Sequence, residues 1–125
     1  MKVLKWKYAE PPRFNSVPEK AGIYIISTRQ ELDHAYEVKY IGETENLRTR
    51  VNEHWSKSEP NKELREHITE HYLMKFNYAE VESKSEREGM VLYMYNIYDP
   101  PFNKSAPQVE EPVKCTQPSV RKFIP

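Results

Sequence analysis

Two short stretches rich in apolar and aromatic residues constrain the fold of this chain most strongly. Residues 21–28 begin AGIYII and residues 38–42 read VKYIG, and both patterns are typical of strands in a partly buried sheet. A polar turn follows the second stretch, and apolar residues then recur at four-residue steps between residues 47 and 57. This spacing predicts an amphipathic helix with Asn46 as its N-cap. The chain is therefore organised around two strands and the helix that follows them.

The rest of the middle region predicts two more helices and one more strand. A Pro-Asn pair ends the first helix and begins a second one over residues 62–72. Apolar and polar side chains alternate over residues 74–81, which predicts a third strand. Ser85 is followed three residues later by Glu88, the spacing of a capping box. A largely buried last helix should begin there and end before Pro100, since the residue before a proline avoids the helical region.

The two ends of the chain differ from this middle region. Residues 1–20 alternate basic and apolar side chains and then become rich in proline, which predicts an N-terminal arm or a short edge strand. Residues 104–125 hold four of the ten prolines and few apolar residues, so we expect an extended or partly disordered tail. A chain of 125 residues is long enough for one modest core, which we place in residues 21–103.

Composition limits the compartment and the kind of binding site. The chain has 19 basic and 19 acidic side chains, so its net charge gives no signal for nucleic acid and any anion site must be local. The one cysteine, Cys115, can form neither an internal disulfide nor a cysteine metal site, which suits a reducing compartment. No apolar run approaches membrane length, and the N-terminus lacks the apolar core of a signal peptide. We therefore expect a cytoplasmic protein.

Four side chains suited to phosphate and acid-base chemistry fall on the predicted elements. Tyr24 and Tyr40 lie on neighbouring strands, while Arg50 and His54 are four residues apart and share one helical face. A guanidinium matches a phosphate and stays charged at any working pH, and phenol and imidazole groups can exchange protons. Each residue alone would more often be a packing aromatic or a surface charge. Their joint spacing favours a site.

These residues belong to an ordered set of motifs. GIY stands at residues 22–24, YIG at residues 40–42 and YDPPFN at residues 98–103, while Arg50 and His54 follow the start of YIG by ten and fourteen positions. Each motif alone would be weak, but the set in this order resembles the GIY-YIG nuclease family. That family includes homing endonucleases, the nuclease half of excision-repair enzymes and some restriction enzymes.

The resemblance implies a fold, a reaction and a cofactor. The fold is α+β, a small three-stranded antiparallel sheet flanked by helices over residues 21–103, which agrees with the order of elements derived above. The reaction is hydrolysis of DNA phosphodiester bonds with one Mg²⁺ or Mn²⁺. By resemblance, the tyrosines and the histidine activate water, Arg50 stabilises the transition state and Asn103 braces the site. Gly22 and Gly42 fall where close backbone approach or a tight strand exit would require glycine.

The position of the metal ligand stays open at this point. By resemblance, a glutamate on the last helix binds the metal. Counting back from Asn103 with the spacing of repair-type members reaches Val91, which cannot bind metal, whereas the longer spacing of homing-type members reaches Glu88. Because the two are one helical turn apart, we predict Glu88 as the ligand. The alternative is a degenerate module that binds nucleic acid, or takes part in an assembly, without cutting.

The predicted partner is DNA, whether linear, branched or damaged. No zinc finger, helix-turn-helix or second domain accompanies the motifs, so specificity must come from the connection over residues 29–37, the arm, the tail or another chain. A neutral net charge also favours weak DNA affinity of the isolated chain. A partner protein or a homodimer is therefore expected to supply specificity.

Overall fold

A mixed sheet of five strands, with helices packed against both faces, forms the framework of the protein. The computed structural model describes residues 1–32, 34–56, 59–70 and 73–125. In chain order the elements are β1 (Lys7–Ala9), β2 (Gly22–Thr28), β3 (Glu37–Thr44), α1 (Leu47–His54), α2 (Lys62–Glu70), β4 (Met74–Glu80), α3 (Lys84–Tyr98) and β5 (Arg121–Lys122).

The strands lie in the order β1-β4-β2-β3-β5, with β5 parallel to β3 and the other neighbours antiparallel. The three predicted strands are the antiparallel centre of this sheet, and their limits agree with the prediction within two residues. The prediction of three strands in total was wrong, because β1 and β5 extend the sheet at its two edges. β1 lies in the N-terminal segment for which an arm or a short edge strand was predicted. β5 is only two residues long and pairs with a distant segment, so no local pattern announces it.

Side chains of β2 alternate between the two faces of the sheet, and each face has its own core. Tyr24 and Ile26 point to the face covered by α1 and α2, where they pack with Leu47, Val51 and Leu64. The neighbouring isoleucines point to the opposite face and pack with residues of α3: Ile23, Ile25, Met90, Val91 and Met94. Every residue of β2 is buried as a result.

The helices begin close to where the sequence indicates. Asn46 is the N-cap of α1, and its side chain accepts a hydrogen bond of 3.1 Å from Thr49 N, as predicted. The helix ends at His54, and the predicted ends of the first two helices, Lys57 and Tyr72, lie outside the described residues. No helix among the described residues is long and apolar enough to cross a membrane.

The start of α3 differs from the prediction by two residues. Its N-cap is Ser83, whose hydroxyl accepts a hydrogen bond of 3.3 Å from Glu86 N. The prediction of Ser85 as the start was wrong because the segment SKSERE contains two overlapping Ser-x-x-Glu spacings, and only packing decides between them. Glu88 is consequently not the capping partner of a serine. The helix ends at Tyr98, before Pro100, as expected.

The N-terminal arm and the tail lie side by side. Lys2 N donates to Lys114 O and Thr116 N donates to Lys2 O, each at 2.9 Å, and the Trp6 indole donates to Thr116 O at 2.7 Å. Between these bonds Cys115 is fully buried in the core on the α3 face. The tail is thus extended, and its backbone bonds to residues far away in the sequence.

A buried charge pair joins α3 to β3. Arg87 on α3 is 2% exposed, and its Nε donates to the Glu43 carboxylate at 2.8 Å. Its Nη1 donates to the carbonyls of Glu82 at 2.6 Å and of Val81 at 3.2 Å. Glu43 follows Gly42 directly, so this pair fixes the end of the YIG strand to the start of α3.

We expect Glu43→Gln to lower the free energy of unfolding by about 2 kcal/mol, because it removes the counter-charge of a buried guanidinium and leaves it with neutral acceptors alone. Urea denaturation measures this change. The matched control is Glu45→Gln, which makes the same chemical change at an exposed side chain and should stay within about 0.5 kcal/mol of the parent. Equal midpoints for the two variants would contradict a stabilising role of the pair.

Candidate active site

Three buried side chains form a continuous chain of polar contacts on the α1 face of the sheet. The Tyr24 hydroxyl lies 2.7 Å from His54 Nε2, and His54 Nδ1 lies 2.6 Å from Glu59 Oε2. Because a carboxylate has no proton to donate, Nδ1 carries the proton and Nε2 accepts from the tyrosine. The Nδ1–H bond is poorly aligned with Oε2, so the contact with Glu59 is a close ionic contact and at most a bent hydrogen bond. We call these three residues the Tyr24–His54–Glu59 chain.

Within the Tyr24–His54–Glu59 chain, Glu59 is the residue that the sequence does not reveal. It stands in the connection between α1 and α2, where no periodicity marks a buried position. Yet it is 1% exposed, its Oε1 accepts from Asn61 N at 3.0 Å, and its Oε2 lies 3.4 Å from Arg50 Nη1. The one hint in the sequence is the proline that follows it, which fixes the backbone before α2.

The protonation states follow from burial and from these contacts. Burial, followed by the nearby Tyr40 phenol, raises the pKa of Tyr24 well above its usual value. Burial also lowers the pKa of His54, and the hydrogen bond with Glu59 only partly opposes this. For Glu59, burial alone would raise the pKa, but the interactions with His54, Asn61 N and Arg50 bring it below its usual value. At neutral pH the Tyr24–His54–Glu59 chain therefore consists of a neutral phenol, a neutral imidazole and a carboxylate.

A solvent-filled cleft of about 310 Å³ opens beside this chain. Among the side chains that line it are Tyr40, Arg50, Glu59 and Asn103. The Tyr40 ring lies against those of Tyr24 and His54, with centroids 6.2 and 5.1 Å apart. Four of the predicted site residues, the two tyrosines, Arg50 and His54, are thus brought together, with the cleft at their open side.

Arg50 is the permanent cation of the cleft. Burial alone would lower its pKa, but the adjacent phenols of Tyr24 and Tyr40 and the Glu59 carboxylate raise it above its usual value. Its Nη1 also lies 3.3 Å from Glu53 on the next helical turn. These contacts hold the guanidinium at the cleft, where it presents planar donors suited to a phosphate.

Asn103 ties the segment after α3 to the edge of β3. Its side chain accepts from Ile41 N at 2.9 Å and donates to Ile41 O at 2.8 Å, as a paired strand residue would. The preceding residue is fixed as well, because Phe102 N donates to Lys39 O at 3.0 Å and Asn61 Nδ2 donates to Phe102 O at 2.8 Å. Asn103 is thus the third predicted site residue, after Tyr40 and Arg50, that lines the cleft, while Tyr24 and His54 lie buried behind it.

Gly42 and Gly22 make room for the packing around this site. A Cβ on Gly42 would overlap the Tyr24 hydroxyl and the carbon that carries it, so any other residue would displace the phenol. A Cβ on Gly22 would overlap the Ala79 carbonyl oxygen and the Leu47 side chain. Close approach, and not an unusual backbone angle, requires both glycines, since neither has a positive φ.

The profile of the GIY-YIG catalytic domain family matches residues 20–114. The chain belongs to the GIY-YIG family. No curated protein sequence matches the chain. Among the solved structures that share its fold are two crystal structures of the GIY-YIG N-terminal endonuclease domain of UvrC from Thermotoga maritima. They are tyrosine-to-phenylalanine point mutants bound to a catalytic divalent cation. Each is 17% identical to this chain, and the match spans 74% of this chain and 91% of the UvrC domain. The TM-scores are 0.54 and 0.55.

The predicted metal ligand is the one site residue that no contact connects to the cleft. Glu88 is partly exposed on α3 and makes no hydrogen bond or ion pair with a described residue. Val91 is 5% exposed in the core on the α3 face, while Glu86 pairs with Lys2 at 2.9 Å. Among the described residues no group of three His, Cys, Asp or Glu side chains could hold a metal ion.

Proposed function

We propose that this GIY-YIG domain is a metal-dependent DNA endonuclease. The observation that carries the proposal is the Tyr24–His54–Glu59 chain beside a cleft that holds the Arg50 guanidinium. The family and the UvrC endonuclease fold support the same reaction class. Such an enzyme needs a base for the attacking water and a stabiliser for charge on the phosphoryl oxygens.

The proton of the attacking water leaves through Tyr24. His54 cannot contact the water itself, since Tyr24 occupies its Nε2 and Glu59 faces its Nδ1. Tyr24 is protonated at neutral pH because its pKa is raised, so it cannot act as a resting phenolate. Tyr24 is 1% exposed, and Tyr40 is the tyrosine that lines the cleft, so the water must approach past the Tyr40 ring. Tyr24 then takes a proton from the water as it gives its own to His54. The Glu59 carboxylate then stabilises the imidazolium that forms.

The cleft residues bind and orient the phosphodiester. Arg50 pairs with the phosphoryl oxygens, whose charge rises in the transition state. Tyr40 lines the cleft with a phenol that donates a hydrogen bond to the water or to the phosphate. Asn103 acts on the backbone of β3, so its contribution is to hold Tyr40 and Ile41 in place.

We propose Glu88 as the residue that would hold the divalent cation. It is a carboxylate without a partner among the described residues, and a single carboxylate suits Mg²⁺ or Mn²⁺ ions that keep water ligands and add substrate phosphates. The relation to a UvrC domain bound to a catalytic divalent cation supports a metal of this kind. When bound, the cation would neutralise charge on the phosphate and on the leaving oxygen.

The proposal also includes DNA as the substrate, a further chain that supplies specificity and a cytoplasmic location. The family supports DNA. The balance of 19 basic and 19 acidic side chains favours help from another chain, since no net positive charge attracts the isolated domain to a duplex.

The first test is cleavage of supercoiled plasmid with Mg²⁺ or Mn²⁺. We expect the parent protein to nick it, and Arg50→Ala to lower the rate by a hundredfold or more, about the loss seen when one transition-state donor is removed. Arg13→Ala, at an exposed arginine, is the matched control and should cut at the parental rate. DNA binding without cutting by the parent protein would instead support the degenerate module.

Glu59→Gln tests the proton path through its pH dependence. We expect the rate to fall by up to about tenfold, since the imidazolium loses its stabilising carboxylate. The acid limb of kcat/KM reports the pKa of His54, which lies below its usual value in the parent. Glu59 raises that pKa, so its removal moves the acid limb to still lower pH. Glu63→Gln, on the exposed side of α2, should leave the profile unchanged. A slower enzyme with an unmoved acid limb would show that Glu59 only supports packing.

Glu88→Gln tests the metal ligand. Isothermal titration of Mn²⁺, in the presence of a short DNA duplex, should show saturable binding to the parent and a loss of about tenfold or more in affinity for the variant. Glu82→Gln, at an exposed side chain just before α3, is the control. Parental Mn²⁺ affinity in Glu88→Gln would remove this residue from the site.

A further inference from the structure

A second cavity, of about 300 Å³, adjoins the catalytic cleft and has no part in the chemistry proposed above. Cationic, aromatic and amide side chains and one carboxylate line it, among them Arg29, Gln30, Glu37, Lys39, His67, Phe102 and Phe123. This mixture of planar rings and hydrogen-bond donors differs from the cleft, whose lining is mainly polar.

Lys39 reaches this cavity because of a bulge in β3. Ile26 of β2 lies opposite Tyr40 and Ser27 lies opposite Val38, so Lys39 is an extra residue without a cross-strand partner. A bulge of this kind re-aims a side chain next to an active site. The Lys39 side chain is only 6% exposed, and its ammonium lies 3.5 Å from the centre of the Phe123 ring.

The buried ammonium of Lys39 is not neutralised by a carboxylate. None of the described acidic residues forms an ion pair with it, and the nearby Glu37 pairs with Arg121 at 3.6 Å. Burial accordingly lowers the pKa of Lys39. The Glu37 carboxylate, which also lines the cavity, partly opposes this shift. A buried ammonium that forms no ion pair with a described carboxylate is further stabilised by an anion that enters the cavity.

Two aromatic rings line the same cavity. Phe102 packs against His67 with ring centroids 4.9 Å apart, and His67 Nε2 lies 2.9 Å from the Thr28 hydroxyl. Phe123 supplies the second ring, beneath Lys39. Rings near cationic donors are the features with which proteins hold single nucleotides, through base stacking and phosphate contacts.

The cavity and the cleft share a wall. Lys39 lines the cavity and the next residue, Tyr40, lines the cleft; in the same way Phe102 lines the cavity and Asn103 lines the cleft. The hydrogen bond from Phe102 N to Lys39 O joins the two pairs. Since consecutive Cα atoms are about 3.8 Å apart, the two spaces are close enough for one nucleic-acid strand to enter both.

We propose that this cavity binds one unpaired nucleotide next to the scissile phosphate, with the base against Phe102 and Phe123 and the phosphate on Lys39. The proposal rests on the nuclease function above and names its substrate class, nucleic acid with an unpaired base beside the cleavage position. A base inside a duplex cannot enter, because its pairing edge and both of its faces are occupied.

Binding experiments without divalent metal test the cavity independently of cutting. The probes are a short duplex with one unpaired 2-aminopurine, the same duplex with an abasic residue at that position, and the fully paired duplex. We expect the parent protein to prefer the first probe, with a change in 2-aminopurine fluorescence as the base stacks. Phe123→Ala should weaken this complex about tenfold, within the range for stacking of one base on an aromatic ring.

Matched variants separate the base contact from the phosphate contact. Lys39→Gln should weaken binding of the unpaired and the abasic probes alike, whereas Phe123→Ala should act on the probe with a base only. Ile124→Ala and Lys122→Gln, at exposed positions that do not line the cavity, should bind all probes as the parent does. Circular dichroism melting of each variant checks that the fold is kept.

The outcomes distinguish the cavity from the nuclease function. Selective binding of the unpaired probe without plasmid cutting would keep the cavity and remove the nuclease. Cutting that Phe123→Ala and Lys39→Gln leave unchanged on every probe would keep the nuclease and overturn the cavity. The cavity proposal would also be overturned if both variants lost as much affinity for the fully paired duplex as for the unpaired probe. Such a result would indicate contact with the nucleic-acid backbone alone. A parent protein that binds none of the probes would contradict both proposals.

Discussion

The contact of His54 with Tyr24 on one side and Glu59 on the other is the interaction on which the site depends. A buried imidazole with two engaged nitrogens has one orientation and one tautomer, so every element around it must be in register. The last turn of α1 must lie over β2 to place His54 at the phenol, and Gly42 must lack a side chain to leave room for the Tyr24 hydroxyl. The connection after α1 must then return to bring Glu59 within reach.

The sheet separates this site from most of the core that supports it. Tyr24 faces α1 and α2, whereas Val91 and the other buried residues of α3 pack on the opposite face. At the position where repair-type spacing would place a metal ligand, α3 therefore contributes packing to the core. Its link to the cleft runs through its C-terminal exit, where Asp99 takes a left-handed conformation and the chain turns to bring Asn103 to the edge of β3. Glu88 differs from Val91 in being partly exposed and in carrying a carboxylate.

What the sequence could predict is what short-range geometry determines. Tyr24 and Tyr40 are placed by the alternation of two strands, and Arg50 and His54 by the helical repeat, so their meeting follows once the strands are recognised. Glu59 could not be found in this way, because a connection has no period and its burial depends on the packing of two helices. The same holds for β5, whose two residues bond to a strand more than eighty positions earlier. At Ser83 and Ser85 the local signal was present twice, and packing chose between them.

The bulge at Lys39 shows how one irregular residue can contribute to both the cleft and the cavity that we propose as binding sites. In a regular ladder Lys39 and Tyr40 would point to opposite faces of the sheet. The extra residue in β3 instead brings Lys39 beside the segment that carries Phe102, while Tyr40 keeps its place against Tyr24. A protein with balanced charges cannot hold nucleic acid by a broad electrostatic field, so its affinity must come from a few groups at short range. A buried ammonium and two rings beside the cleft are groups of this kind, because a stacked base contributes binding energy that does not depend on net charge.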